Sequence, residues 1–186
     1  MKQPEINQSP HHPLKPWIIV TAFAILVGFL VLIGMGVKNA QAGPIMIGQK
    51  APDFELTTFE GIQIKSEDLL GKVVLINFWA SWCDTCADEA QMMEQVWQEY
   101  QPGGQVVFLG LAYSDIETGS LEYLKKYQIS YPNCPDLGTK ISRMFRIRGI
   151  PETFILDRDG KLAYFQYGSF SSEEQIRNLI NPLLEP

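Results

Sequence analysis

Two cysteines, Cys83 and Cys86, sit where an apolar, β-prone run gives way to a helical pattern. The run is Val73-Val74-Leu75-Ile76-Asn77-Phe78-Trp79, and Ala87, Ala90, Met93, Trp97 and Tyr100 follow at helical spacing. The pair therefore falls at a strand-to-helix junction, in the first helical turn. Unpaired backbone N–H groups and the positive end of the helix dipole favour a thiolate there. A thiolate attacks disulfides, and a second thiol one turn away resolves the mixed disulfide. Zinc or iron–sulfur binding is the competing use of such a pair, but it normally needs four ligands. The only histidines, His11 and His12, lie near the N-terminus, and Cys134 has no partner cysteine. A structural disulfide across so small a loop would constrain little entropy. The pattern predicts dithiol–disulfide exchange, with no metal and no cofactor.

A second constraint lies upstream. Trp17 to Val37 contains no charged side chain and is long enough to cross a hydrocarbon core as a helix. A cleavable signal peptide is the rival reading, because Ala40-Gln41-Ala42 before Gly43 resembles a small-residue cleavage pattern. The apolar run exceeds a usual signal core, which favours an uncleaved anchor. The expected organisation is a short tail (1–16), a transmembrane signal anchor (17–37), a linker (38–50) and one globular domain (51–186). Lys2 and Lys15 stand before the span and Lys38 and Lys50 after it, so charge orients it weakly. The natural topology is a single pass in the cell membrane, with the large domain extracytoplasmic. The chain carries −6 overall, and three of its fifteen Lys+Arg precede residue 43 against one of its twenty-one Asp+Glu. The domain is thus more acidic still, which excludes nucleic acid as a natural partner.

Within the domain, strands are expected at 51–57 and 62–64 around Glu60-Gly61, forming an N-terminal β-hairpin, and at 73–79, 106–112, 152–157 and 162–167. Helices are expected at 66–70, 84–100, 118–127, 139–145 and from Ser171 or Ser172 to about 183. Ser130–Gly138, with two prolines, reads as a loop or short edge element. Strands alternate with helices early and a hairpin comes late, which gives an α/β fold with a central mixed sheet.

Asn77-Phe78-Trp79-Ala80-Ser81-Trp82-Cys83-Asp84-Thr85-Cys86, taken with Gly149-Ile150-Pro151-Glu152-Thr153-Phe154, resembles the membrane-anchored thioredoxin-like family of TlpA, ResA and CcmG type. The resemblance spans about Gly48 to Leu184 and implies a thioredoxin-like fold. It implies that Cys83 attacks, that Cys86 resolves, and that Pro151 is a cis proline facing the disulfide. A proline there cannot donate a backbone hydrogen bond, and Ile150 beside it can pair with an extended substrate segment. An ordinary turn proline is the alternative. Trp82, Asp84, Ile150, Pro151 and Glu152 are the expected substrate-binding set. Cytoplasmic relatives carry an Asp where Asn77 stands, and Asn cannot shuttle a proton. Glu89 matches a Glu of the ResA-like members and could take the proton of Cys86. It could equally be a solvated first-turn Glu favoured by the dipole.

Asp84 opposes thiolate formation at Cys83, and a less stabilised thiolate makes the dithiol a better reductant. Glu152 adds a second acid if it points into the site. The expectation is a reductase of client disulfides. Thr85 and Pro151-Glu152-Thr153 match CcmG-like members, which suggests the Cys-x-x-Cys-His disulfide of apocytochrome c during cytochrome c maturation. By family analogy a membrane donor of CcdA/DsbD type re-reduces the domain. A peroxiredoxin-like thiol peroxidase is the alternative, since Ala51-Pro52-Asp53-Phe54 is a similar opening. Ile76 and Ala80, however, stand where that family carries Pro and Thr. A copper-delivery protein of the same fold would need a Cys-x-x-x-Cys pair and a later His, and the domain has neither. Arg143, Arg146 and Arg148 either steer an acidic partner or form a solvated face. Cys134 is either a regulatory thiol or a passive loop cysteine.

Overall fold

A computed structural model of the chain describes residues 16–40 and 45–185. The tail through Lys15 and the 41–43 part of the cleavage pattern lie outside the described residues. Two compact units are present, divided between Gly43 and Pro44. The first contains α1 (Pro16–Ala40). Its segment Pro16–Ile33 has a mean hydropathy of 2.6 and no buried residue, and is long and apolar enough to cross a membrane.

The second unit contains a small antiparallel ribbon, β1 (Glu55–Thr57) and β2 (Gln63–Lys65), and a five-stranded sheet. The sheet is built from β3 (Val73–Trp79), β4 (Val106–Tyr113), β5 (Asn133–Asp136), β6 (Glu152–Leu156) and β7 (Leu162–Tyr167) in the order β5-β4-β3-β6-β7. β3, β4 and β5 run parallel, while β6 and β7 reverse the direction by antiparallel pairing. The helices are α2 (Asp84–Tyr100), α3 (Glu117–Lys126), α4 (Lys140–Phe145) and α5 (Glu173–Leu184). This is the thioredoxin-like α/β architecture with a mixed sheet.

The apolar run of β3, interrupted only by Asn77, follows from burial on both faces. Val74, Ile76 and Phe78 face one core, with Phe54, Phe145 and Phe154. Val73 and Leu75 face the other, with Met93 and Trp97 of α2 and Ile176 and Ile180 of α5. Side chains alternate across a strand, so Asn77 and Trp79 fall on the α2 side. On β6, Thr153 and Ile155 share the α2 side, whereas Glu152 and Phe154 face away from it.

Several local features are set by packing rather than by the local sequence. The expected 66–70 helix is a 3-10 turn, Ser66–Leu69, whose start no side chain caps. The Ser66 hydroxyl accepts from Phe54 N at 3.1 Å, tying the turn to the ribbon. α1 reaches Ala40, and Gly48 N donates to Leu162 O while Leu162 N donates to Gln49 O. Residues 133–136 form a paired edge strand, one of the two forms expected for this stretch, and this puts Cys134 in the core, fully buried. Burial pushes the Cys134 thiol up to about 12, so neither a regulatory thiol nor a loop cysteine describes it.

Candidate active site

Cys83 and Cys86 form a disulfide at the N-terminus of α2. Cys83 is the N-cap residue, and its Sγ accepts from Cys86 N at 3.1 Å. The Thr85 hydroxyl lies 3.5 Å from the same sulfur. Cys83 is 7% exposed and Cys86 1%. The outer sulfur is therefore the one a partner can reach, while the inner one is sealed by Trp79, Ala90 and Tyr123. Tyr123 stacks on Trp79 at 4.4 Å, and its hydroxyl donates to Cys86 O at 2.9 Å. Burial pushes the Tyr123 phenol well above its ordinary value, so it stays a donor.

Below the pair lies a buried polar network. Glu89 is 1% exposed, which removes the solvated reading of this residue. Its Oε1 accepts from Asn77 Nδ2 at 2.9 Å and its Oε2 from Phe170 N at 2.9 Å. Asn77 Nδ2 also donates to Thr153 Oγ1 at 2.9 Å, across a direct β3–β6 pair. Burial raises the Glu89 carboxyl from 4.5 to about 7, against the opposing pull of the Phe170 and Asn77 bonds. A carboxyl poised near neutrality one turn from Cys86 has the proton affinity that a resolving thiol needs. Asn77 contributes by orienting that carboxylate, not by carrying a proton.

The Ile150–Pro151 peptide bond is cis. Arg148 and Gly149, just before it, are held by Glu152, whose Oε2 accepts from Arg148 N at 2.8 Å and Gly149 N at 3.3 Å. Glu152 is 1% exposed and faces away from α2. It therefore braces the loop from behind instead of adding an acid to the site, because strand alternation turns it to the other side of the sheet. Burial raises its carboxyl, opposed by the two N–H bonds. Gly168 N donates to Pro151 O at 3.0 Å, and Ile150 stays half-buried. Trp82 is 59% exposed, and Asp84 is exposed in the first helical turn. Arg143 bonds back to the carbonyls of Thr139 and Gly138, so it forms part of its own helix terminus.

Sequence reasoning singled out Cys83, Cys86, Glu89 and Pro151 but missed Thr153, Tyr123, Phe170 and Asp115. Asp115 accepts from Ser81 N at 2.7 Å and so anchors the loop leading into Cys83. Thr153 lay inside the quoted Pro-Glu-Thr motif, but its place opposite Asn77 is set by the β3–β6 register. The others are joined to the site only through space. Ile76 and Ala80 are fully buried core residues and put no hydroxyl beside Cys83. Among the described residues, no group of three or more His, Cys, Asp or Glu could hold a metal ion.

Comparison with known proteins agrees with this geometry. The model of the AhpC/TSA family matches residues 47–165. Thiol-disulfide oxidoreductase ResA of Bacillus cereus is 32% identical over 157 residues, covering 84% of this chain and 88% of that protein. Thioredoxin-like protein YneN of Bacillus subtilis is 29% identical over 167 residues, covering 89% and 98% respectively. The crystal structure of a thiol:disulfide interchange protein of the thioredoxin family from Chlorobium tepidum superposes with a TM-score of 0.68 at 26% identity, covering 77% of this chain and all of that one.

Proposed function

This chain belongs to the AhpC/TSA family and is a thiol-disulfide oxidoreductase of thioredoxin-like fold, and from that premise we propose that it is a membrane-anchored reductant of client disulfides outside the cytoplasm. The observation that carries the reading is the position of the pair. The outer sulfur caps a helix, and the inner one is sealed above a carboxyl of near-neutral pKa.

In the reduced state Cys83 Sγ takes the N-cap position, where the Cys86 N–H and the helix dipole favour its thiolate. The thiolate attacks one sulfur of the client disulfide. That S–S bond breaks, and the other client sulfur leaves as a thiolate and takes a proton. Glu89 accepts the Cys86 proton, and the Cys86 sulfur attacks Cys83 Sγ. The mixed disulfide breaks, the second client sulfur leaves as a thiolate and takes the proton that Glu89 held, and with the first proton drawn from water the client has gained two electrons and two protons. The chain ends with the Cys83–Cys86 disulfide. Ile150, beside the donor-less Pro151, pairs with the client backbone. A membrane dithiol donor of CcdA/DsbD type returns the electron pair, and α1 supplies the single-pass anchor. The exposed Asp84 in the first turn supports the reducing direction, because its charge opposes the Cys83 thiolate. The client of choice is the Cys-x-x-Cys-His disulfide of apocytochrome c.

The test uses the full chain in detergent micelles. Cys86→Ser should accumulate a mixed disulfide with an oxidised Cys-x-x-Cys-His peptide, while the reduced wild-type chain releases the peptide dithiol. A couple near thioredoxin's potential of about −270 mV supports the reductant reading, and one near about −120 mV refutes it. Equal rates with an unrelated disulfide peptide would remove the apocytochrome c assignment and leave the reductase.

A further inference from the structure

A tight turn opens the second unit, shortly after the apolar helix. Gln49 N donates to Met46 O at 3.0 Å, and Gly48 between them takes φ 85°, the positive value that the third residue of such a turn needs. The Gln49 side chain closes the turn a second time, its Oε1 accepting from Met46 N at 3.2 Å. Gly48 N donates to Leu162 O at 2.7 Å and Leu162 N to Gln49 O at 2.9 Å, which ties the turn to the start of β7. Ile45, just before it, packs against the core that contains Phe54 and Phe145. The turn is thus fixed at both ends.

This geometry accounts for Gly48 and Gln49 but not for Met46 and Ile47. Turns favour Gly, Pro, Asn, Asp and Ser, yet Met46 is 65% exposed and Ile47 68%. Two large apolar side chains held out by a fixed turn mark a contact surface. Their place in the chain names the contact. α1 is long and apolar enough to cross a membrane and ends at Ala40. Met46 follows six residues later, and six residues extend at most about 20 Å. A membrane-spanning α1 therefore keeps the turn within reach of the headgroup layer, roughly 6 Å deep on each side of the hydrocarbon. Lys50 and Lys161 face each other across the same ladder. Each is already paired with an acid, Lys50 with Asp53 at 3.1 Å and Lys161 with Asp159 at 3.0 Å. Apolar insertion, rather than attraction to anionic headgroups, is what this turn supplies.

We propose that Met46 and Ile47 seat in the interfacial layer of the membrane, docking this end of the domain on the lipid surface. This inference rests on the membrane-anchored reading above and adds a second point of attachment to it. Leu162 pairs with Leu156, and Leu156 with Val74 at the start of β3, whereas Cys83 follows the end of that strand. The turn and the redox pair thus lie at opposite ends of β3, roughly 20 Å apart at about 3.3 Å per residue. A docked turn leaves Cys83 at the end of the domain open to a soluble client.

The test uses the full oxidised chain in phosphatidylcholine vesicles, with a thiol-reactive nitroxide on Ile47→Cys, Ile62→Cys or Leu30→Cys. Cys83 and Cys86 are closed in their disulfide and Cys134 is fully buried, so the label goes to the introduced cysteine. Ile62, 61% exposed, is the reference. It lies beside the β1–β2 turn, whose Phe59 N donates to Asn133 O near the redox end of the sheet. Nitroxide collisions with oxygen, which concentrates in lipid, are compared with collisions with a water-soluble nickel chelate. The oxygen-to-nickel ratio at Ile47→Cys should be severalfold that at Ile62→Cys, and adding Met46→Asp should return it towards the Ile62→Cys value. Equal ratios at the two positions overturn the inference. So does an Ile47→Cys label shielded from both reagents, which would mean that protein, such as a second copy of the chain, covers the turn. So does a ratio that Met46→Asp leaves unchanged, which would mean that the nitroxide and not the turn enters the lipid. A Leu30→Cys label as open to nickel as the Ile62→Cys label overturns the membrane-anchored reading, and this inference with it.

Discussion

Replacing Glu89 by Gln tests whether the carboxyl below the redox pair is held near neutrality by burial. Its carboxyl is raised from 4.5 to about 7. At about 1.4 kcal/mol per pKa unit, this is worth about 3 kcal/mol. The folded pKa lies above the unfolded one, so the native state binds the extra proton. The corresponding stability is fully present below about pH 4.5 and is lost as pH rises through about 7. Gln cannot ionise and should not show this fall. It does lose one acceptor towards Asn77 or Phe170, a cost of about 1 kcal/mol at acid pH. The Glu89→Gln variant should thus be slightly less stable than wild type in acid and more stable above neutrality. All three core clusters lie in the unit beginning at Pro44, so urea unfolding of that unit, with the disulfide intact, is the assay. Comparing the two proteins pH by pH cancels the titration of every other carboxylate. Parallel profiles from about pH 4.5 to about pH 8 would refute the reasoning, since a carboxyl of ordinary pKa contributes no such difference. A constant offset would show that Glu89 matters only as a hydrogen-bond acceptor.

Two further predictions concern the frame of the site. Gly110→Ala would place a β-carbon 1.7 Å from Asn133 Oδ1 and 2.8 Å from Trp79 Nε1, breaking the bond those atoms make at 2.8 Å. A loss of about 3 kcal/mol in denaturant unfolding is expected, and a loss below about 1 kcal/mol would mean that β4 yields at this point. Glu152→Ala strips the acceptor from Arg148 N and Gly149 N, costing about 2 kcal/mol. Glu152→Gln, which keeps a carbonyl acceptor, should restore most of it, and equal losses would show that charge rather than acceptance matters there.

Where local signals are strong, sequence and structure agree residue for residue. Val73–Trp79 and Asp84–Tyr100 have their expected limits. One is an apolar run interrupted only by Asn77, and the other starts at a capping cysteine and stops before Pro102-Gly103-Gly104. The Cys83–Cys86 chemistry was legible for the same reason, as was the cis proline through its motif. The partners of the site were not. Asn77 reaches Glu89 across 12 positions, Glu89 reaches Phe170 across 81, and Asp115 reaches Ser81 across 34. Periodicity says which face of an element is apolar and says nothing about which distant polar group meets it. Spacing therefore left open whether Glu89 is solvated or buried, and the packing of α2 against the sheet buries it. Glu152 read as a second active-site acid until the pleat of β6 turned it to the opposite face. Cys134 was left open between a regulatory thiol and a passive loop cysteine, and pairing of its strand with β4 buries it. Sequence alone determined the elements and the redox pair, because those depend on near neighbours in the chain. Tertiary structure decided the burial of Glu89, the orientation of Glu152 and the surroundings of Cys134, because each depends on what the fold excludes from water.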